Sequence, residues 1–363
     1  MTSYIRAARD LFWHDSLWLP PGLNWSVVTA NDELFPVFSD MYLPVVYAFA
    51  LLFIRLIFEW TVARPLGRWM GLPDTGSELP NIFKRLYWRL KALAGSTGLV
   101  EGVPLQRRVR TKSGRFRPIF IPKSTLDKFC EGCFRFVFYF SIFWYGLYVL
   151  WDKPWFWDQA YCWYGYPFQP VDTDIKLYYM LEATFYWSLT FSQFTDVQRK
   201  DFEMFIVHHI ATIALLWFSW ADNFVRVGSL VLIVHDAADF WMELGKLSRY
   251  AEYHQACSVF FAIFTVVWFV TRCGLYPLKI VYSTMVEAPA LIPWFAAYYV
   301  FNSLLLVLFV LHVLWSIMIL KVLINTLSSG QIDDVRSDDE DESESPNENE
   351  MADRKANGPL KQD

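Results

Sequence analysis

Residues 203–243 read EMFIVHHIATIALLWFSWADNFVRVGSLVLIVHDAADFWME. Two apolar stretches, 203–221 and 224–243, flank a turn at Asp222-Asn223. The first holds His208 and His209, and the second holds His235, Asp236 and Asp239. An ionisable side chain costs about 2.5 to 3.5 kcal/mol at the centre of a membrane helix, so a cluster of them at one depth points to chemistry. A lone histidine or aspartate in such a helix is as readily a structural hydrogen-bond partner between spans. At about 1.5 Å per residue the histidines lie roughly 7 to 10 Å inside their helix. His235 and Asp239 are four apart, and Asp236 and Asp239 three apart, which puts all three on one helical face. Helices joined by a short turn are expected to be antiparallel neighbours, so the histidines should meet the aspartates across a shared seam. Adjacent histidines diverge by about 100° on a helix, which leaves one of the pair central and the other supporting.

The rest of the chain has the same character. Of 363 residues, 55% are hydrophobic and 19% aromatic, gathered into long blocks rather than spread out. Windows long enough to cross a bilayer fall at 41–60, 134–151, 175–194, 203–221, 224–243, 257–277 and 291–323. The last exceeds one simple crossing and reads as a tilted span with a re-entrant lead-in near Pro293, two short crossings being the alternative. The fold class is therefore an all-α polytopic membrane protein with about seven transmembrane helices. Fourteen Lys and Arg residues between Arg64 and Lys128 place the 61–126 segment in the cytosol. The amino-terminal segment 1–40 is then lumenal, as are the loops 153–174 and 278–290. No cleaved signal peptide is evident at the start. Asn24-Trp25-Ser26 is an N-glycosylation sequon on the side assigned to the lumen.

The net charge of -5 conceals that basic segment and an acidic tail, 328–363, too poor in apolar residues to fold. Ser337, Ser343 and Ser345 lie among acidic residues that suit a kinase preferring such surroundings; an inert charged tail is the other reading. Cys130-x-x-Cys133 has no second pair or nearby histidine to complete a zinc site, and no metal is expected. Glu182 and Arg272 are isolated in sequence and read as structural pairs, while His14, His254 and His312 carry no assignment.

An imidazole beside a carboxylate, in a dry site, is what acyl transfer from a thioester needs. At these residues the chain resembles the ceramide synthases of the TLC-domain, longevity-assurance family. The likeness is carried by Asp196-x-x-Arg199-Lys200-Asp201-Phe202, His208-His209-x-x-Thr212, Asn223-x-x-Arg226-x-Gly228 and His235-Asp236-x-x-Asp239. Supporting pieces are Asp152-Lys153-Pro154-Trp155-Phe156, Gly165-Tyr166-Pro167, Phe185-Tyr186-Trp187-Ser188, Thr271-Arg272 and Asp334-Val335-Arg336-Ser337-Asp338. The resemblance implies a TLC membrane domain over 127–327 in the endoplasmic reticulum, with no cofactor. It implies fatty acyl-CoA as co-substrate and a long-chain sphingoid base as acceptor, with membrane lipids and a homo- or heterodimer partner also compatible. It implies that His208, or else His209, carries the acyl group or acts as base. Asp236 and Asp239 would then orient imidazole and amine, with His235 assisting. Arg199, Lys200, Asn223 and Arg226 are implied in substrate binding, and Tyr282, Ser283, Thr284, Met285, Val286 and Glu287 in acyl-length selection. Many animal members carry a homeobox-like segment in the first cytosolic loop. This chain lacks its recognition-helix pattern, and nucleic acid is not expected as a partner. A zinc-dependent amide hydrolase using His208, His235 and an aspartate, and a non-enzymatic lipid sensor or translocation helper, are the rival readings.

Overall fold

The computed structural model describes residues 2–30, 35–73, 124–193, 196 and 201–329. The basic segment 74–123, Arg199, Lys200 and the tail with Ser337, Ser343 and Ser345 lie outside the described residues. Seven long helices carry the fold: α1 (Phe38–Trp69), α2 (Thr125–Leu150), α3 (Thr173–Ser192), α4 (Phe202–Ala221), α5 (Val225–Tyr250), α6 (His254–Leu291) and α7 (Ala296–Ser329). There is no strand among the described residues. Five of the helices, α1, α2, α4, α6 and α7, are long and apolar enough to cross a membrane. The other two, α3 and α5, carry the polar interior: Glu182 on α3, and His235, Asp236, Asp239 and Glu243 on α5. Such helices are tolerated where neighbours cover them, and both are extensively buried.

Helix packing closes a ring. Each member touches the next in the order α2, α3, α4, α7, α6, α5 and back to α2, while α1 packs outside against α3 and α2. The turn joining α4 to α5 is short, but the two helices make few contacts. The principal neighbours of α5 are α2 and α6, and that of α4 is α7. Expected as a seam, α4 and α5 instead face each other across the ring interior. Gly132 allows one of these contacts, because a Cβ there would meet the Leu247 side chain at 3.0 Å. Outside the ring, Arg55 of α1 holds the carboxylate of Asp196 at 3.0 Å and 3.1 Å, and Arg135 of α2 reaches the same group at 2.7 Å. Arg55 and Asp196 are buried and paired with each other, which is the condition for keeping such charges away from water.

Two expectations need correction. The segment 278–290 is not a loop but the continuation of α6, which winds with π-type turns over Phe269–Val281 and Ser283–Glu287. Pro277 lacks an N–H and would break regular i to i-4 bonding, and a widened turn accommodates it without ending the helix. The last apolar block is a break at 292–295 followed by a single 34-residue helix, so two short crossings do not occur.

At one end of the ring the amino-terminal segment packs as aromatic layers. Trp13 stacks on Trp18, Trp18 stacks on Phe218, and the Trp220 Nε1–H donates to the Val37 carbonyl at 3.0 Å. Asn24 is exposed there and caps the short helix Trp25–Thr29. Asp222, in the α4–α5 turn at this same end, is fully enclosed, and neither carboxylate oxygen has a hydrogen-bond partner. Burial pushes its carboxyl well above the usual carboxylate range. The folded state then binds this proton more tightly than the unfolded state, so stability is lost as pH rises above the unfolded carboxyl value. Asp222→Asn removes that loss. Its melting temperature in detergent should gain on the parent's from about pH 5 to about pH 8, and a gain that shrinks over that range would mean the group is held charged.

Candidate active site

A cavity of about 330 Å³ occupies the ring at the end opposite the aromatic layers. All six ring helices line it, from Tyr139 on α2 and Tyr186 on α3 to Trp315 on α7, and α1 contributes nothing. His208 and His209 of α4, Asp239 of α5 and Arg272 of α6 form its polar wall. Phe261, Phe264, Trp268 and Ile319 are among its apolar lining. Lys246, Arg249 and Lys321 stand toward its outer end. Lys246 pairs with Glu243 at 2.7 Å, whereas Arg249 and Lys321 make no ion pair among the described residues.

Both histidines of the pair reach the cavity, so their divergence on the helix still leaves both rings facing it. Their ring centroids are 5.7 Å apart, and the cavity is wide enough to meet both. His209 is oriented: its Nδ1 lies 2.8 Å from Gln193 Oε1, while the Gln193 amide nitrogen faces the Phe202 carbonyl at 3.5 Å. With the amide so turned, Nδ1 is the donor and Nε2 keeps its lone pair. His208 is buried between Tyr186, Trp315 and His235, and its Nδ1 has no hydrogen-bond partner.

The second-helix residues diverge. His235 has both nitrogens occupied, Nδ1 by the Val231 carbonyl at 2.6 Å and Nε2 by His312 Nε2 at 3.0 Å. A carbonyl only accepts, so Nδ1 of His235 carries the proton. In the neutral pair, His312 then donates through its own Nε2–H. Asp236 turns toward α3, where it accepts from the Tyr178 hydroxyl at 3.3 Å and lies against Glu182. Asp239 accepts from Arg272 Nη2 at 3.0 Å. Neither carboxylate bonds a ring nitrogen of the histidine pair, so the expected carboxylate orientation of those imidazoles is replaced by Gln193 on His209. The proposed zinc set of His208, His235 and an aspartate does not converge, because both ring nitrogens of His235 are engaged.

Two further residues join the cluster, His312, which carried no assignment, and Arg272, expected as a structural pair and found paired with Asp239. His312 is fully buried on α7 and bonds His235. Arg272 donates to the His235 carbonyl and to Asp239, and its guanidinium lies 4.8 Å over the Trp268 ring. Each lies within an apolar stretch, but alone there, without the neighbouring imidazoles and carboxylates that marked His208.

Other candidates sit elsewhere. Asn223 adopts a positive φ of 54° in the α4–α5 turn, and its side chain donates to the Pro167 and Gln169 carbonyls at 2.7 and 3.0 Å. Arg226 donates to the Tyr161 carbonyl at 2.8 Å and lies over Trp155. Both belong to the end of the ring away from the cavity and hold the 153–174 loop in place. Tyr282, Met285 and Val286 are exposed, while Ser283 and Thr284 are buried. Ser283 accepts from the Trp163 indole at 2.9 Å. Glu287 follows them at the end of the same π-type stretch.

Comparison with known proteins adds an independent line. A family profile described as the TLC domain matches residues 128–321, which takes in α2 to α7 and leaves α1 outside. The chain is 38% identical over 347 residues to ceramide synthase 5 of Homo sapiens, covering 92% of this chain and 87% of that protein. It is 40% identical over 345 residues to ceramide synthase 3 of Homo sapiens, at 92% and 88% coverage. Ceramide synthase hyl-1 of Caenorhabditis elegans is 36% identical over 340 residues, at 90% and 83%.

Proposed function

The chain belongs to the ceramide synthases of the TLC-domain family, and on that premise we propose that it transfers a fatty acyl group from acyl-CoA to the amine of a sphingoid base, sphinganine or sphingosine, giving dihydroceramide or ceramide. The observation that carries the mechanism is the pair His208 and His209 on one cavity wall, one imidazole unencumbered and the other oriented by Gln193. A ring nitrogen of His208 attacks the thioester carbonyl carbon, the C–S bond breaks, and the CoA thiolate leaves, so His208 holds the acyl group. The sphingoid amine then attacks that carbonyl. His209 Nε2 accepts the proton lost by the nitrogen, and the His208–acyl bond breaks to release the amide. The proton passes from His209 to the thiolate or solvent, so one thioester and one amine give one amide and one thiol.

The cavity's outer end faces the cytosol of an endoplasmic reticulum membrane in this reading, as the positive-inside rule for the 61–126 segment requires. Arg249 and Lys321 there accept the CoA phosphates while the thioester reaches inward; Asp239 and Arg249 are ten residues apart on α5, about 15 Å. The apolar wall takes the hydrocarbon chain. Asn24 is glycosylated on the lumenal side, and the acidic tail is a cytosolic target for kinases at Ser337, Ser343 and Ser345.

Incubation of purified protein with acyl-CoA alone, followed by intact-mass and peptide analysis, tests the reading. A mass gain equal to the acyl chain, located on His208, is expected. Acyl transfer without any adduct on either histidine would overturn the two-step scheme. The mouth is tested by the double substitution Arg249→Glu with Lys321→Glu. KM for acyl-CoA should rise about 10-fold with kcat within about 2-fold, the mark of lost binding outside the chemistry. An acyl thioester lacking phosphates should show no difference, and an equal loss with it would remove the phosphate assignment.

A further inference from the structure

Attack on a thioester moves the carbonyl π electrons onto oxygen, and the rate depends on donors already in place for that charge. The histidine pair cannot supply them, since one imidazole is the nucleophile and the other must keep its lone pair. Of the cations that line the cavity, Lys246, Arg249 and Lys321 stand toward the outer end, whereas Arg272 is bonded into the histidine cluster through the His235 carbonyl. Its placement is unusual for a residue serving only as an ion-pair partner. Nη2 is committed to Asp239 and the His235 carbonyl, but Nε–H is enclosed without any partner. The contact of Nη1 with His312 Nε2, at 3.5 Å, is not a hydrogen bond in the neutral pair, because that nitrogen carries the proton it donates to His235. One edge of the guanidinium is therefore anchored, and the remaining N–H groups are unsatisfied in an enclosed, largely apolar site. Leaving such donors buried without partners costs stability, which is sustained where they meet a charge that forms only during reaction.

We infer that Arg272 is a catalytic residue of this acyl transfer, donating to the oxyanion that forms when His208 attacks the thioester carbonyl. The inference rests on the acyl-transfer reading given above. In the first step the His208 nitrogen forms its bond to carbon as the π pair moves to oxygen. Arg272 holds that charge until the pair returns, the C–S bond breaks and the thiolate departs. The same donors serve the second step, when the amine attacks. Asp239 is then the anchor that aims the guanidinium, and His312 keeps its acceptor lone pair away from Nη1 by donating to His235. Nη2 thus stays anchored throughout, and the donors left without partners at rest are the ones the oxyanion takes up.

The test is single-turnover acylation of His208 by saturating acyl-CoA in Arg272→Gln, which keeps a polar side chain but removes the charge and the terminal guanidinium donors. Acylation about 10²- to 10³-fold slower, with KM for acyl-CoA within about 3-fold, is expected. Arg272→Lys retains a cation and should keep at least about a tenth of the rate. It also serves as the test should the glutamine variant fail to show a cooperative thermal transition. Wild-type acylation by Arg272→Gln, a loss confined to KM, or Arg272→Lys slower than about a hundredth of the wild-type rate would each overturn the assignment. Failure of the underlying reading is distinguishable, because it would appear as wild-type protein giving no adduct at all.

Discussion

Replacing His208 by alanine is expected to lower amide formation by about 10³- to 10⁴-fold and to abolish the acyl adduct, with the protein still folded. Folding should survive because His208 makes no hydrogen bond through Nδ1 and no ion pair, and the space it vacates adjoins a cavity already present. His209→Ala should separate the two steps. The adduct on His208 should still form with acyl-CoA alone, since the thiolate leaves without needing a base. Its transfer to the amine should slow by about 10²-fold or more. Both variants are measured by adduct formation and by product release with sphinganine. An His209→Ala protein that forms no adduct, beside an His208→Ala protein that does, would exchange the two roles.

The second large effect is structural. Gly228 sits where α5 passes α3, and a Cβ there would lie 1.6 Å from the Tyr179 hydroxyl and 2.9 Å from its Cζ. Tyr179 is fully buried, and its hydroxyl shares a hydrogen bond of 2.9 Å with Ser219 on α4, so three helices meet at this point. Gly228→Ala must displace the ring and break that bond. The expected cost is about 3 kcal/mol, combining overpacking with a buried hydroxyl left unsatisfied. The readout is a lower thermal midpoint and loss of monodisperse protein in detergent. Tyr179→Phe removes the clashing oxygen, so the double variant should be more stable than Gly228→Ala alone. If the second substitution adds to the damage, the steric account is wrong.

Much of the architecture could be read from hydropathy. Six of the seven apolar windows fall on helices, with α6 running well past its window to Leu291, and the seventh falls on a helix after a break. The missing part was the order of packing. A short turn at Asp222-Asn223 predicts that α4 and α5 run antiparallel, and they do. It says nothing of whether α7 and α2 will claim their flanks, because ring closure is decided by contacts between residues far apart in the chain, such as Gly132 against Leu247. The chemistry divides similarly. His208, His209 and Asp239 were legible because charge or imidazole in an apolar run is costly wherever it sits. Asp236 was legible as buried, but its direction toward Tyr178 was not, since a spacing of three on a helix fixes a face only to within tens of degrees. Arg272 read as a structural pair, which its bond to Asp239 matches, and His312 carried no assignment; each stands alone in its own segment, and only the ring brings them beside His235.

The wide turns of Phe269–Val281 have a consequence for how an interior of this kind can be altered. Beyond that stretch, Ser283 and Thr284 point inward and Tyr282 and Met285 outward, a phase set by the surplus of backbone wound into the turns before them. Removing one residue there would rotate everything downstream by roughly a quarter of a turn and bring different side chains to the inside, with composition almost untouched. Length in this one stretch, rather than polarity, is thus a dial by which related chains reshape the inside of the ring while remaining equally at home in lipid.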